Sequence, residues 1–202
     1  MAKIESVCVY CGSSFGTNPV FAETARQFGR LLAAEGVRLV YGGGGVGLMG
    51  EVAGAVSLAG GAVTGIIPTF LVRAERRFRH KAEIIEVQDM HQRKQLMFER
   101  ADAFVALPGG VGTLEELVEQ LTWAQLGRHR KPILLANIDG FWNPFLDLMA
   151  HMDTTGFLPP RAPMTLLNVD RVEEILPALR AAAAAVPEPE LHDTDSQVAR
   201  QM

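Results

Sequence analysis

Only two cysteines, Cys8 and Cys11, occur in the 202 residues of this chain. That count excludes a disulfide framework. The two form a C-x-x-C spacing, but a thioredoxin-type pair sits where a strand passes into a helix, whereas Cys8 lies inside the apolar run Val7-Cys8-Val9-Tyr10. A zinc site would need two further ligands, and no histidine pair at ligand spacing supplies them. Reduced, structural thiols are the expectation, with a redox pair as the rival reading. An excess of one charge is also missing: 19 Lys and Arg against 23 Asp and Glu give a formal net charge of −4. Nothing in that balance draws the chain to nucleic acid or to anionic membranes. No uninterrupted apolar run reaches the roughly 18 residues of a transmembrane helix. Met1-Ala2-Lys3-Ile4-Glu5 leads almost directly into a strand, without the apolar core of a signal peptide. A cytoplasmic protein with no nucleic-acid or membrane partner is therefore expected.

What is present is an ordinary globular composition, 48% hydrophobic and 21% charged, long enough for one well-buried α/β domain over residues 1–185. Beyond it the polar, aperiodic stretch 186–202 predicts a disordered tail. Apolar runs at 4–10, 38–41, 62–67, 83–87, 102–107, 132–136 and 165–168 read as strands. Several are near-continuous in Val, Ile and Leu, as parallel strands covered on both faces are. Helical patterns lie between them at 19–34, 47–59, 90–101, 112–126, 141–152 and 171–184, the first opened by Thr17-Asn18-Pro19. This alternation predicts a single-domain, doubly wound, Rossmann-like α/β fold: a mostly parallel sheet of about six to seven strands with helices on both faces.

Ligands of such sheets sit outside the carboxyl ends of the strands, where the winding reverses. Three of those ends carry glycine turns: Cys11-Gly12-Ser13-Ser14, the 42–50 loop, and Pro108-Gly109-Gly110-Val111-Gly112-Thr113. The 42–50 loop contains G-x-G-x-x-G twice, but it follows the second strand, and Ile66-Ile67-Pro68 stands where a ribose-binding acid is needed. It is not a P-loop, because no Gly-Lys-Ser/Thr occurs. A nucleotide-monophosphate cradle including Gly44 and Gly45, or a loop tightened for packing, are the two readings left.

The third turn closes an apolar strand and opens a helix, presenting backbone N–H groups and a positive helix end to an anion, a phosphate above all. It also carries Thr113, Glu115 and Glu116 within the first helical turns. On a helical wheel Leu114, Leu117, Val118 and Leu121 form the stripe expected to face the sheet, with Glu116 far round from it. Trp123 shares the side of Glu116, and a tryptophan there needs a cover, which suggests a second subunit. Met90-His91-Gln92-Arg93-Lys94 opens the preceding helix, where two cations beside a strand end can clamp a phosphate or the Glu116 carboxylate. A solvated amphipathic helix is the plainer alternative. The basic segment 73–81 reads either as a solvated loop or as a lid over an anion.

Together, Pro108-Gly109-Gly110-x-Gly112-Thr113-x-x-Glu116 and Met90-x-x-Arg93-Lys94 resemble the paired signature of the LONELY GUY family, cytokinin riboside 5′-monophosphate phosphoribohydrolases often mislabelled as lysine decarboxylases. The likeness runs from Val7 to about Asp170. It implies hydrolysis of the N-glycosidic bond of an N6-substituted adenosine 5′-monophosphate, giving free base and ribose 5-phosphate. Arg93 and Glu116 would be the catalytic pair. Glu116 would stabilise positive charge on the sugar or orient water, held ionised by Arg93. Substrate and phosphate contacts are expected from Ser13, Gly44, Gly45, Glu75, Lys94, Gly109, Gly110, Val111, Gly112, Thr113, Leu114, Glu115 and Thr122. No cofactor or metal is implied, and a homodimer or larger assembly is expected. A broader purine-monophosphate nucleosidase and a non-catalytic nucleotide-binding module are the alternatives. Amino-acid decarboxylation is disfavoured, because no lysine stands in a pyridoxal-phosphate context.

Overall fold

The computed structural model describes residues 4–72, 81–158 and 166–186. Strand and helix alternate through them except at β3 and β4, which follow each other: β1 (Ser6–Tyr10), α1 (Pro19–Ala34), β2 (Arg38–Tyr41), α2 (Gly47–Leu58), β3 (Val63–Pro68), β4 (Glu83–Val87), α3 (Met90–Glu99), β5 (Ala103–Ala106), α4 (Val111–Gln125), β6 (Ile133–Ala136), α5 (Asn143–Thr154), β7 (Leu166–Val169) and α6 (Ile175–Ala184). The seven strands form one sheet in the order β4-β3-β2-β1-β5-β6-β7, and every pairing is parallel. The sheet is thus wholly rather than mostly parallel.

The period-2 alternation of β1 divides the core. Val7 and Val9 pack with Phe28, Leu32, Val52, Val56 and Leu179 on the face covered by α1, α2 and α6. Cys8 and Tyr10 pack with Met97, Phe98, Leu117, Leu121 and Trp142 on the face of α3, α4 and α5. Cys8 and Cys11 are both free and buried, and they belong to opposite layers. Burial pushes both thiols far above their usual range, so neither is a thiolate near neutral pH.

Local chemistry accounts for the element boundaries. Asn18 Oδ1 accepts from Val20 N at 3.0 Å, with Pro19 opening α1. Asp89 Oδ1 accepts from Gln92 N at 2.9 Å to start α3. The helix expected over 171–184 divides into a 3-10 turn, Val172–Glu174, and α6. Pro177 then falls in the first turn of α6, where a missing N–H costs nothing. The helix expected from 141 begins at Asn143, because Asn137 Oδ1 accepts from Trp142 N at 2.7 Å and holds a tight turn ahead of it. The tail from 187 lies outside the described residues. The winding starts at β1, runs out to β4, and resumes at β5 on the other side of β1. The turns after β1 and β5 therefore flank the point of reversal.

Candidate active site

The three glycine turns are fastened together through their backbones. Gly12 N donates to Pro108 O at 3.1 Å, Met49 N to Gly12 O at 3.3 Å and Leu48 N to Ser14 O at 3.4 Å. A Cβ on Gly47, whose φ is +62°, would lie 2.3 Å from the Ser13 carbonyl carbon, and one on Gly50 would lie 2.6 Å from Gly45 O. Packing therefore accounts for those two glycines of the 42–50 loop. Ser13 is exposed, Gly44 buried and Gly45 half-buried along this seam.

Gly109 is likewise a packing glycine, since its Cβ would meet Thr113 Oγ1 at 2.1 Å and Gly12 N at 2.9 Å. Gly110 and Gly112 differ: a Cβ at either meets nothing within 4 Å. The fold has room there for a side chain and the sequence leaves it out, so the start of α4 stays open. Gly110 caps α4 with no side-chain hydrogen bond, and Leu114 N, bonding Gly110 O at 3.0 Å, makes the first helical bond. The amides of Val111, Gly112 and Thr113 are thus left outside the helical ladder, at its positive end.

Arg93, in the first turn of α3, is 8% exposed, and Glu116 on α4 equally so. Their contact is 3.0 Å, Arg93 Nη1 to Glu116 Oε1. Arg93 Nε donates to Ile66 O at 3.2 Å, so the end of β3 holds a guanidinium where a dinucleotide site would present an acid. A Cβ on Gly42 would stand 2.0 Å from Arg93 Nη2. The absent side chain of Gly42 is what admits the guanidinium. Burial raises the Glu116 carboxyl to about 7; Arg93 and Lys94 pull against it, while Glu115 and Glu119 add to it. Arg93 was expected to hold Glu116 ionised, but desolvation outweighs it, and the carboxyl is poised near half-ionisation at neutral pH.

Several expectations change on α4. Its buried face is Thr113, Glu116, Leu117, Gln120, Leu121 and Ala124. Leu114 and Val118, expected against the sheet, are 38% and 42% exposed. Glu116, expected far round from the sheet side, lies on it. The close fit of Thr113 to Gly109 and the pairing of Glu116 with Arg93 set the rotation of the helix, against the pull of two aliphatic side chains. Trp123, from which a covering subunit was inferred, is half-buried by its own chain: Phe98 packs edge-on at 5.1 Å and Arg128 lies over the indole at 4.5 Å. Lys94 pairs with Glu115 at 2.6 Å and Glu119 at 2.9 Å, not with Glu116. Thr122 is exposed, its hydroxyl donating to Val118 O at 2.8 Å, on a different side of the helix from Glu116. Val111 is 84% exposed. Glu75 and nearly all of the basic segment lie outside the described residues. Sequence reasoning missed Gly42 and the Ile66 carbonyl, because only the fold brings them to Arg93.

A parallel sheet whose α4 start, without a side-chain cap, opens beside a buried Arg–Glu pair defines a Rossmann-like α/β protein with exposed helix amides next to an ionisable carboxyl. Residues 49–179 match the family described as "Possible lysine decarboxylase". Cytokinin riboside 5′-monophosphate phosphoribohydrolase LOG7 of Arabidopsis thaliana is 46% identical over 175 residues, covering 87% of this chain and 81% of that protein. The phosphoribohydrolase of the same description, LOG, of Oryza sativa subsp. japonica is 43% identical over 175 residues, covering 87% and 72%. In fold, the Moco carrier protein from Chlamydomonas reinhardtii superposes with a TM-score of 0.66 at 19% identity, over 91% of this chain and 100% of that one. This chain belongs to the LONELY GUY family.

Proposed function

We propose that this protein hydrolyses the N-glycosidic bond of N6-substituted adenosine 5′-monophosphates, releasing the free base and ribose 5-phosphate. The buried 3.0 Å contact of Arg93 with Glu116, beside the open start of α4, carries this reading. The names of the relatives above supply the substrate class. The 5′-phosphate binds the amides of Gly110, Val111, Gly112 and Thr113 with the Thr113 hydroxyl, and that remote grip positions the sugar. As the C1′–N9 bond breaks, its electron pair leaves with the base and positive charge grows on the sugar. The ionised Glu116 carboxylate faces that charge and takes a proton from the water that adds to C1′, while the departing base takes up a proton from solvent, so the sum is free base and ribose 5-phosphate. Arg93 fixes the carboxylate in place.

The test is product analysis with isopentenyladenosine monophosphate and AMP. Base release is expected from the prenylated nucleotide in preference to AMP, with kcat/KM rising through about pH 7 as Glu116 of the free enzyme ionises. Glu116→Gln is expected to abolish release while keeping the fold. Because the carboxyl is raised on folding, its ionisation lowers stability from the unfolded value up to about 7, and the full cost is present above that. Glu116→Gln should therefore melt no lower than the wild type at pH 8. Near-normal turnover by this variant would falsify the assignment.

The working form in this proposal is a cytoplasmic homodimer. Val111, Leu114, Val118 and Leu126 give the outer side of α4 an apolar stripe, exposed by 84%, 38%, 42% and 67%. A second copy of the same helix would cover it.

A further inference from the structure

The turn leaving α4 folds basic side chains inward, against the second half of α3 and of α4. His129 is 1% exposed and Lys131 6%. Lys131 Nζ donates to Phe98 O, in the last turn of α3, at 2.8 Å and lies 4.1 Å from the centroid of the Phe98 ring. Phe98 O already accepts from the backbone cap of α3. The ammonium therefore adds charge at the negative helix end and a cation–π contact, and does not rescue an orphaned carbonyl. His129 Nδ1 accepts from Lys131 N at 3.1 Å, which leaves the ring proton on Nε2 to be donated to Gln120 O of α4 at 3.2 Å. Arg128 covers Trp123 of α4 and reaches Gln95 Oε1 of α3 at 3.4 Å. One short turn thus grips both helices, and those helices carry the two halves of the ion pair.

A cation in the core is expensive. Burial lowers the Lys131 ammonium to about 8, against the opposing pull of the Asp102 and Glu99 carboxylates. Methionine would fill a similar volume without that cost, so packing alone does not account for a lysine here.

We infer that the 128–131 turn is a clamp that sets the spacing of α3 and α4, and that Lys131 is the positioning residue in it for the Arg93–Glu116 pair. The inference rests on the proposed function only in taking that pair as the reacting one. Wild type, Lys131→Met and Lys131→Arg are compared by two readouts. The first is the ionisation midpoint of Glu116, followed by NMR of carbon-13 glutamate and assigned with Glu116→Gln; it needs no substrate. The groups facing Glu116 are Arg93 and Lys94 from α3, Glu115 and Glu119 from α4, and Tyr10, Cys8 and Cys11 along β1 and its end. Burial keeps the phenol and both thiols neutral at the pH of interest. The midpoint therefore reads the desolvation of the carboxyl together with the distances of Arg93, Lys94, Glu115 and Glu119. The second readout is kcat and KM with the prenylated nucleotide.

Lys131→Met is expected to shift the Glu116 midpoint by about half a pH unit or more, upward where Arg93 draws away and downward where water reaches the carboxyl. It should lower kcat about tenfold with KM within about twofold, and melt no lower than wild type. Lys131→Arg, which keeps charge and donors, should hold the wild-type midpoint. An unmoved midpoint in folded Lys131→Met overturns the clamp, and so does a loss of kcat that merely tracks a loss of folded protein. If Lys131→Met does not fold, Lys131→Gln is judged by the same criteria. Wild-type protein that releases no base from any nucleotide monophosphate would remove the proposed function instead, and the Glu116 midpoint would still decide the clamp.

Discussion

Arg93 can reach Glu116 only because Gly42 has no side chain, so the pair depends on an atom that the chain omits. A methyl group at Gly42 would lie 2.0 Å from the guanidinium, which cannot retreat easily while its Nε is bonded to Ile66 O. Gly42 does not have a positive φ, so alanine meets no backbone penalty there. Gly42→Ala is expected to fold, to lose a few degrees of melting temperature to overpacking, and to lower kcat by about 100-fold through displacement of Arg93. Turnover and thermal melts check it; wild-type kcat in the folded variant would take Arg93 out of the reaction. Arg93 and Glu116 were both legible in the sequence through their motifs. Gly42 was visible only as one glycine in a run of four, because its purpose lies in a side chain 51 positions further on.

The helix α4 separates what its sequence says from what its surroundings impose. Its start was readable, since a strand, three glycines and a threonine in succession leave little else to form. Its rotation was not. Aliphatic spacing favours burying Leu114 and Val118, yet the tight seat of Thr113 on Gly109 and the pairing of Glu116 turn them outward. Gly112 tests the open start of this helix. Alanine there projects into free space, and replacing a helical glycine should raise stability by roughly 0.5 kcal/mol. Gly112→Ala is therefore expected to melt slightly higher while raising KM for the nucleotide severalfold, measured by thermal melts and initial rates. A raised melting temperature with an unchanged KM would show that the phosphate does not use these amides.

The whole molecule adds a surface that neither single residues nor α4 alone explain. The apolar stripe Val111, Leu114, Val118 and Leu126 stands next to the site, on the same helix that carries Glu116. The expected interface was on the side of α4 that carries Glu116 and Trp123, which the same chain packs against. The stripe lies on another side of the helix and supports a homodimer through different side chains. Leu114→Glu combined with Val118→Glu should shift the mass from dimer to monomer by light scattering, with the far-ultraviolet circular dichroism unchanged. A wild-type protein that is already monomeric would remove the proposed assembly.

The local chemistry of the chain settled its elements and their order. Alternating Val, Ile and Leu runs with capped helices between them admit few arrangements other than a parallel sheet, and three glycine turns had to meet where the winding reverses. Which glycines make room for protein atoms and which leave space for a ligand was decided by tertiary contact, as was the near-neutral midpoint of Glu116. Those properties depend on what lies across the gap. Burial, approach distance and the balance of desolvation against a facing guanidinium have no counterpart in the spacing of letters along a chain.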